Sequence, residues 1–200
     1  MPYLTIGLFA GLRASEIEGL RWKNVDFEGH AIVVEAGNAK TGQRRNAYMP
    51  PNLRLWLEPY KASQREERVV PEHWRKSFKS FLYFVGFDSW VPNCLRHSFG
   101  SYHVALLKNA SLTATALGHS STHMTHKHYK ELVRSRDAQA YFTIAPVAPS
   151  PTLQFADYFG RTDLLQWDNL EAQGDTREIL SIVRELSQDV RVLKCQTASP

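Results

Sequence analysis

The chain begins with two helical patterns separated by a glycine. Residues 3–10 are apolar and predict a buried helix that ends at Gly11. Ser15, with acidic residues behind it, is typical of a capped helix start, so a second helix is predicted to run to about Trp22. Arg13 then lies at the junction of the two helices.

A strand-like pattern follows. Residues 30–35 and 45–49 are rich in β-forming side chains, and they flank a polar turn at residues 37–42. This arrangement predicts a β-hairpin with Lys40 at its tip.

The next part of the chain returns to helical periodicity. A helix is predicted to open at Pro51, and another, rich in aromatic residues and therefore expected to be buried, at about residues 72–85. A third is predicted from Asn93 onward, and a shorter one at residues 112–117 is expected to end at Gly118. The predicted fold class is α+β, mainly α-helical with a small β-hairpin sheet.

The last quarter of the chain has a different character. We predict a compact domain at residues 1–145, a proline-rich linker and irregular segment at residues 146–174, and an amphipathic heptad helix at residues 175–195. The apolar stripe of that helix consists of Ile179, Val183, Leu186, Val190 and Leu193. It is expected to pair between protomers, with folding back onto the first domain as the alternative.

Charge divides the chain at the same place. Residues 1–150 contain 19 Lys and Arg against 12 Asp and Glu, a net charge of +7, whereas residues 151–200 contain 5 against 8, a net charge of −3. The first part therefore suits a polyanionic partner, and the tail does not.

Neither cysteine usage nor hydropathy points to an exported or membrane protein. Cys94 and Cys195 lie far apart, which does not suggest a disulfide framework and fits a reducing compartment. The apolar opening is too short to span a bilayer and has no basic residues before it, so neither a signal peptide nor an anchor is predicted. The cytoplasm is the expected location.

Several side chains together offer the chemistry of DNA strand cleavage. Breaking a phosphodiester without a metal requires a nucleophile, cations for the non-bridging oxygens and an acid for the departing 5′ oxygen. Arg13 and Arg96 can each present a planar fork to phosphate oxygens, and Lys40 can protonate the leaving oxygen. Tyr129 can attack phosphorus, and His119 can hydrogen-bond to the phosphate.

The order and intervals of these residues resemble the tyrosine recombinase, or phage integrase, family over about residues 3–142. The resemblance is carried by the stretch Gly11–Ile17, by Ala39–Gly42 followed by Arg44 and Arg45, by Cys94–Phe99, by Leu117–Ser121, and by Tyr129 ten residues after His119. These segments are similar to the family's first-arginine box, hairpin lysine, second-arginine box, penultimate histidine and nucleophile.

The resemblance implies a catalytic-domain fold and a specific reaction. Arg13, Lys40, Arg96 and His119 would surround the scissile phosphate, and Tyr129 would form a 3′-phosphotyrosyl intermediate that a 5′ hydroxyl reverses. The implied partner is double-stranded DNA, bound by a homo-oligomer that is a tetramer in this family. The family uses neither metal nor nucleotide cofactor, and the implied setting is the nucleoid and mobile DNA.

Two features depart from the family pattern. Asn93 stands three residues before the second arginine, where the family usually has histidine; asparagine can hydrogen-bond to phosphate but cannot act as an acid or base. Only twelve residues precede Arg13, where the family places further helices and usually a DNA-clamping domain. The chain is therefore expected to be an N-terminally truncated member.

Each residue taken singly also has a plainer interpretation. Arg96 could form a buried ion pair, Lys40 could be a solvated turn residue, and Asn93 could be a helix cap. Tyr129 could pack in the core, and Tyr141 is the next candidate nucleophile.

Two alternatives concern function. Four histidines close together in the chain, His119, His123, His126 and His128, could belong to a zinc site, although no acidic residue lies between His97 and His128. A non-catalytic DNA-binding remnant of an integrase is the alternative to an active recombinase.

Overall fold

The computed structural model describes residues 1–40, 42–63, 65–119 and 133–146. Its helices in this part of the chain are α1 (Pro2–Ala10), α2 (Ala14–Gly19), α3 (Pro51–Leu57), α4 (Trp74–Phe84), α5 (Cys94–Leu107), α6 (Ala110–Leu117) and α7 (Ser135–Thr143). The strands are β1 (Val25–Asp26), β2 (Ala31–Val34) and β3 (Arg45–Tyr48), and short 3₁₀ helices occupy Trp22–Asn24 and Glu58–Tyr60. The predicted class, mainly helical with a small antiparallel sheet, is confirmed.

The core is organised around α1 and α5. Helix α1 is apolar on all sides, and all of its residues except Tyr3 are buried. A Cβ on Gly7 would lie 2.7 Å from Cδ1 of Leu95, so the small residue is what lets the two helices approach so closely. Helix α7 completes this layer, because Tyr141 stacks on Tyr102 with ring centroids 4.0 Å apart.

The predicted hairpin is confirmed. Strands β2 and β3 pair antiparallel, with Ile32 opposite Ala47. Strand β1, only two residues long and too short for a periodic pattern, adds an edge on the other side of β2. Ile32 and Val34 are fully buried, whereas Ala31 and Val33 are half-buried, so one face of the sheet covers the core.

The predicted limits of α2 are wrong at both ends. The helix begins at Ala14, because the carboxylate of Glu16 reaches back to the backbone N–H of Arg13 at 2.8 Å and so makes Arg13 the cap residue. It ends at Gly19, since Leu20 has extended backbone angles. Ser15 is therefore an exposed residue of the first turn.

The predicted burial of α4 is also wrong. Only Leu82 is buried in this helix, and the side chains of Tyr83 and Phe84 are 86% and 87% exposed. Trp74 and Phe78, on one helical face, pack against Tyr3 with ring centroids 4.1 and 5.4 Å away, whereas Tyr83 and Phe84 lie off that face. The abundance of aromatic residues was misleading because they are spread around the helix.

Several predictions lie outside the described residues. They are the linker and irregular segment at residues 146–174, apart from its first residue, and the heptad helix at residues 175–195. Tyr129 and His128 are also outside them. Within the described ranges, no helix is both long and apolar enough to cross a bilayer.

A buried histidine makes the stability of this domain depend on pH. His103 in α5 is 5% exposed, with Nδ1 2.8 Å from the Thr113 hydroxyl of α6, and burial lowers its pKa to about 4. The unfolded chain, whose histidine has a pKa of about 6.5, binds a proton in the window between these values and the folded protein does not. The stabilisation is complete above the unfolded pKa and is lost as the pH falls towards the folded one.

We therefore expect the free energy of unfolding to fall by about 2 to 3 kcal/mol between about pH 7 and pH 4.5 on account of this residue. Urea unfolding of the wild type and of His103→Gln, compared at both pH values, isolates the effect because glutamine keeps a hydrogen-bonding partner for Thr113. An equal pH dependence in the two proteins would contradict the assignment.

Candidate active site

A fully buried carboxylate lies at the centre of the candidate site. Glu16 has no exposed surface, and its Oε2 accepts the backbone N–H of Arg13 and Nη2 of Arg45, each at 2.8 Å. Its Oε1 accepts Nη1 of Arg13, also at 2.8 Å. A carboxylate removed from water is stable only when charges and donors compensate it, so Glu16 and the two arginines form one unit.

Arg13 is placed by the end of α1. Gly11 closes that helix in the left-handed region, with φ of 65°, and a Cβ at this position would collide with the ring of Phe99. The chain then turns into α2, leaving the Arg13 side chain 18% exposed. No hydrogen bond from its Nε or Nη2 to another described residue is found, so these donors can face a ligand.

Arg96 links the two loops of the site. It is 6% exposed in the first turn of α5, where its Nη1 donates to the carbonyl of Gly11 at 2.7 Å and its Nη2 to the carbonyl of Leu117 at 2.5 Å. Gly11 lies two residues before Arg13, and Leu117 lies two residues before His119. A single guanidinium therefore holds together the segments that carry two predicted site residues.

His119 lies one residue beyond the end of α6. Gly118 ends the helix in the left-handed region, with φ of 64°, and the backbone N–H of His119 donates to the carbonyl of Ala114 at 2.9 Å. The imidazole is half-buried. The helix end thus fixes the backbone of His119 directly after the carbonyl that Arg96 binds.

Arg45 reaches the same helix end from β3. Its Nη1 lies 3.4 Å from the carbonyl of Ala116, and a Cβ on Gly118 would be 2.8 Å from its Cδ and Nε. Burial lowers the pKa of Arg45, and the negative charge of Glu16 acts in the opposite direction. The Arg45 side chain is 14% exposed, close to the 18% of Arg13, so these contacts enclose most of it.

One predicted site residue, Lys40, does not join the hydrogen-bond network around Glu16. Lys40 is exposed in the connection between β2 and β3, and no hydrogen bond or ion pair from it to another described residue is found. Asn38 anchors the connection by donating to the carbonyl of Gly19 at 3.1 Å. The connection that carries Lys40 is thus tied to the end of α2.

Asn93 occupies the residue before α5. It is the N-cap residue, as the helix-cap interpretation expects, but its backbone is left-handed, with φ of 61°, and its exposed side chain makes no capping hydrogen bond. Asn93, Ala14 and Arg96 line the same small cleft. Its amide is thus on the side of the fold where the two predicted arginine boxes meet.

The two candidate nucleophiles differ in what the structure says of them. Tyr129 lies outside the described residues. Tyr141 is 2% exposed, its hydroxyl donates to the carbonyl of Leu8 at 2.6 Å, and burial raises its pKa well above the usual value. A phenol with its proton engaged in the core cannot reach a DNA phosphate, so Tyr141 is a structural residue.

The structure also shows two residues of the site that the sequence analysis did not select. Sequence patterns place Glu16 only among the acidic residues that follow Ser15, and Arg45 only in the segment that resembles the hairpin-lysine box. Glu16 stands three residues after Arg13, which is the spacing of a capping interaction, and that signal could have identified it. No local signal identifies Arg45, whose partners are 29 and 71 residues away.

A metal centre is not formed by the described residues, among which no group of three His, Cys, Asp or Glu side chains is close enough to hold an ion. Most of the histidines considered for zinc lie in residues 120–132, outside the described ranges.

Comparison with known proteins shows the family to which this fold belongs. Residues 3–136 match the Phage integrase family, and the chain belongs to this family of tyrosine recombinases. None of the curated proteins compared with the chain matches it.

Solved structures agree in fold. XerA recombinase is 20% identical with a TM-score of 0.53, over 68% of this chain and 53% of that one. The Tn1549 transposon integrase in complex with circular intermediate DNA is 20% identical with a TM-score of 0.50, over 69% of this chain and 57% of that one. The chain thus spans little more than half the length of these proteins, and at this identity the likeness concerns the fold.

Loss of the central carboxylate should weaken the fold markedly. Glu16→Gln leaves the buried Arg45 without its counter-charge, and we expect the free energy of unfolding to fall by about 3 kcal/mol or more, as is typical when one partner of a buried pair is removed. Glu18→Gln is the matched control, because Glu18 pairs with Arg75, whose side chain is 75% exposed, and such a pair contributes about 1 kcal/mol or less. Urea unfolding measures both; similar losses would contradict the central role of Glu16.

Proposed function

We propose that this protein cuts and rejoins double-stranded DNA at specific sites through a 3′-phosphotyrosyl intermediate on Tyr129. The observation that carries the proposal is the convergence of Arg13 and Arg96 on one side of the fold, held by Glu16 and by the carbonyl of Leu117. Family membership supports the same reaction class. A non-catalytic DNA-binding domain is the competing function, and the adduct experiment below separates the two.

The arrangement suits phosphoryl transfer because the cations are fixed before DNA binds. Negative charge builds on the non-bridging oxygens during attack, and guanidinium groups that already point to that place stabilise it without reorganising. Arg13 retains donors, Nε and Nη2, that have no hydrogen-bond partner among the described residues, and Arg96 fixes the adjoining loops through the carbonyls of Gly11 and Leu117. Arg13 can therefore keep its structural partners while binding phosphate.

The remaining roles in the proposal belong to Lys40, His119 and Asn93. Lys40, exposed on a turn, would protonate the departing 5′ oxygen, and His119 would hydrogen-bond to a non-bridging oxygen. Asn93 would donate a hydrogen bond from its neutral amide to the same phosphate, but an amide cannot act as an acid or base. Proton transfer in this chain would thus rest on Lys40 and His119.

The exposed face of α4 is a suitable surface for the DNA backbone. Lys76, Lys79 and Tyr83 follow one another at helical spacing, and all are exposed. Lysine ammonium groups contact phosphates, and an exposed aromatic ring can pack against sugars or bases. We propose that this face and the arginine cluster bind the same duplex, and that protomers assemble on paired DNA sites.

Covalent trapping tests the nucleophile. The wild-type chain, incubated with a pool of nicked duplexes of random sequence, is expected to form a protein–DNA adduct that survives denaturing electrophoresis. Tyr129→Phe should form none, because phenylalanine has no nucleophilic oxygen. Tyr141→Phe is the matched control and should form the adduct while losing about 1 to 3 kcal/mol of stability with its buried hydrogen bond.

An adduct from Tyr129→Phe would refute the nucleophile, and DNA binding by the wild type without any adduct would favour the non-catalytic function. Sequencing of the trapped duplexes identifies the substrate for the kinetic experiments.

Arg13 is expected to act mainly in the transition state. With a trapped duplex as substrate, Arg13→Ala should slow single-turnover cleavage on the order of 10²-fold or more, the cost typical of removing one preorganised donor, while DNA affinity changes far less. Arg54→Ala, which removes an arginine that pairs with Glu58 on the surface of α3, should leave the rate within about threefold. A cleavage rate for Arg13→Ala equal to that of this control would refute the role.

A further inference from the structure

Arg45 has contacts on both sides of the site, and 14% of its side chain is exposed. It pairs with Glu16 through Nη2, lies near the carbonyl of Ala116 through Nη1, and packs its Cδ and Nε against Gly118. We propose that Arg45 is a positioning residue that sets the distance and orientation between the Arg13 guanidinium and His119. The inference rests on the proposed function.

Arg45 acts on Arg13 through one oxygen of Glu16. Oε2 accepts both Nη2 of Arg45 and the backbone N–H of Arg13, so Oε1 is directed at Nη1 of Arg13. Without Arg45 the carboxylate would lose one of the three donors that fix its rotation. The Arg13 fork, which is planar and directional, would turn with it.

Arg45 acts on His119 through the end of α6. The last carbonyls of a helix carry partial negative charge and need donors from elsewhere. Arg96 binds the carbonyl of Leu117, and Arg45 approaches the carbonyl of Ala116 while its flat guanidinium edge lies against Gly118. Because His119 follows directly, the place of its imidazole depends on how Arg45 supports this turn.

An arginine is required here for geometric reasons. The two Nη groups address partners in different elements, Glu16 in α2 and Ala116 in α6, and a lysine ammonium on a single stem cannot present that fixed pair of directions. Gly118 is required for the complementary reason. A Cβ there would meet Arg45 at 2.8 Å and would also strain a backbone with positive φ.

The test compares Arg45→Lys with Arg44→Lys, whose arginine is 65% exposed and belongs to no contact of the site. On a duplex recovered by covalent trapping, Arg45→Lys should slow single-turnover cleavage at least 10-fold while the dissociation constant for that duplex stays within about threefold of wild type. Arg44→Lys should match the wild-type rate. Loss of affinity in proportion to rate would mean that Arg45 binds DNA directly and would overturn the positioning role.

A second measurement needs no catalysis. In NMR spectra of the free protein, Arg45→Lys should shift the guanidinium Nε–H signal of Arg13 and the imidazole signals of His119, and leave those of His103 unchanged. Gly118→Ala, which displaces Arg45 without removing it, should shift the same signals and slow cleavage as well. Unchanged Arg13 and His119 signals in both variants would overturn the inference. This result does not depend on DNA cleavage, so it can be told apart from a failure of the proposed function.

Discussion

The buried carboxylate of Glu16 is the interaction on which the rest of the site depends. A carboxylate with no exposed surface costs several kcal/mol unless ionic partners surround it, and here the partners come from the start of α2 and from β3. The pairing therefore dictates more than local charge. It fixes where α2 begins, and it requires the β2–β3 hairpin to place Arg45 beside α2 instead of pointing it to solvent as the neighbouring Arg44 does.

The end of α6 is the second element that this network controls. Its terminal carbonyls are all bound: Ala114 and Thr115 by the backbone N–H groups that follow the helix, Ala116 and Leu117 by arginines from β3 and α5. Cations are favourable at this negative end of the helix dipole. A helix terminus that would otherwise need water is thus closed by two side chains that also face the site, so stability and site geometry arise from the same contacts.

Local patterns predicted much of this fold, and long-range contacts explain where they failed. The β2–β3 hairpin, α5 and the left-handed stop at Gly118 follow from periodicity and glycine chemistry, which act over a few residues. The burial of α4 could not be inferred, because aromatic content does not show which face meets the core. The burial of Glu16 could not be inferred either, since its second cation, Arg45, lies 29 residues further along the chain.

The division of labour among the arginines follows from their partners. Arg96 is buried and binds two backbone carbonyls, Arg45 pairs with Glu16 and approaches the carbonyl of Ala116, and Arg13 keeps donors without a partner among the described residues. In the proposed function a phosphate would bind Arg13, and the charge of the other two guanidinium groups would act across a partly desolvated interior, where electrostatic interactions are stronger than in water. Because these groups are already held in place, little reorganisation is needed when a phosphate binds. Folding has ordered these cations in advance, and in the proposed function such prior ordering would distinguish a site for phosphoryl transfer from a basic surface that only attracts DNA.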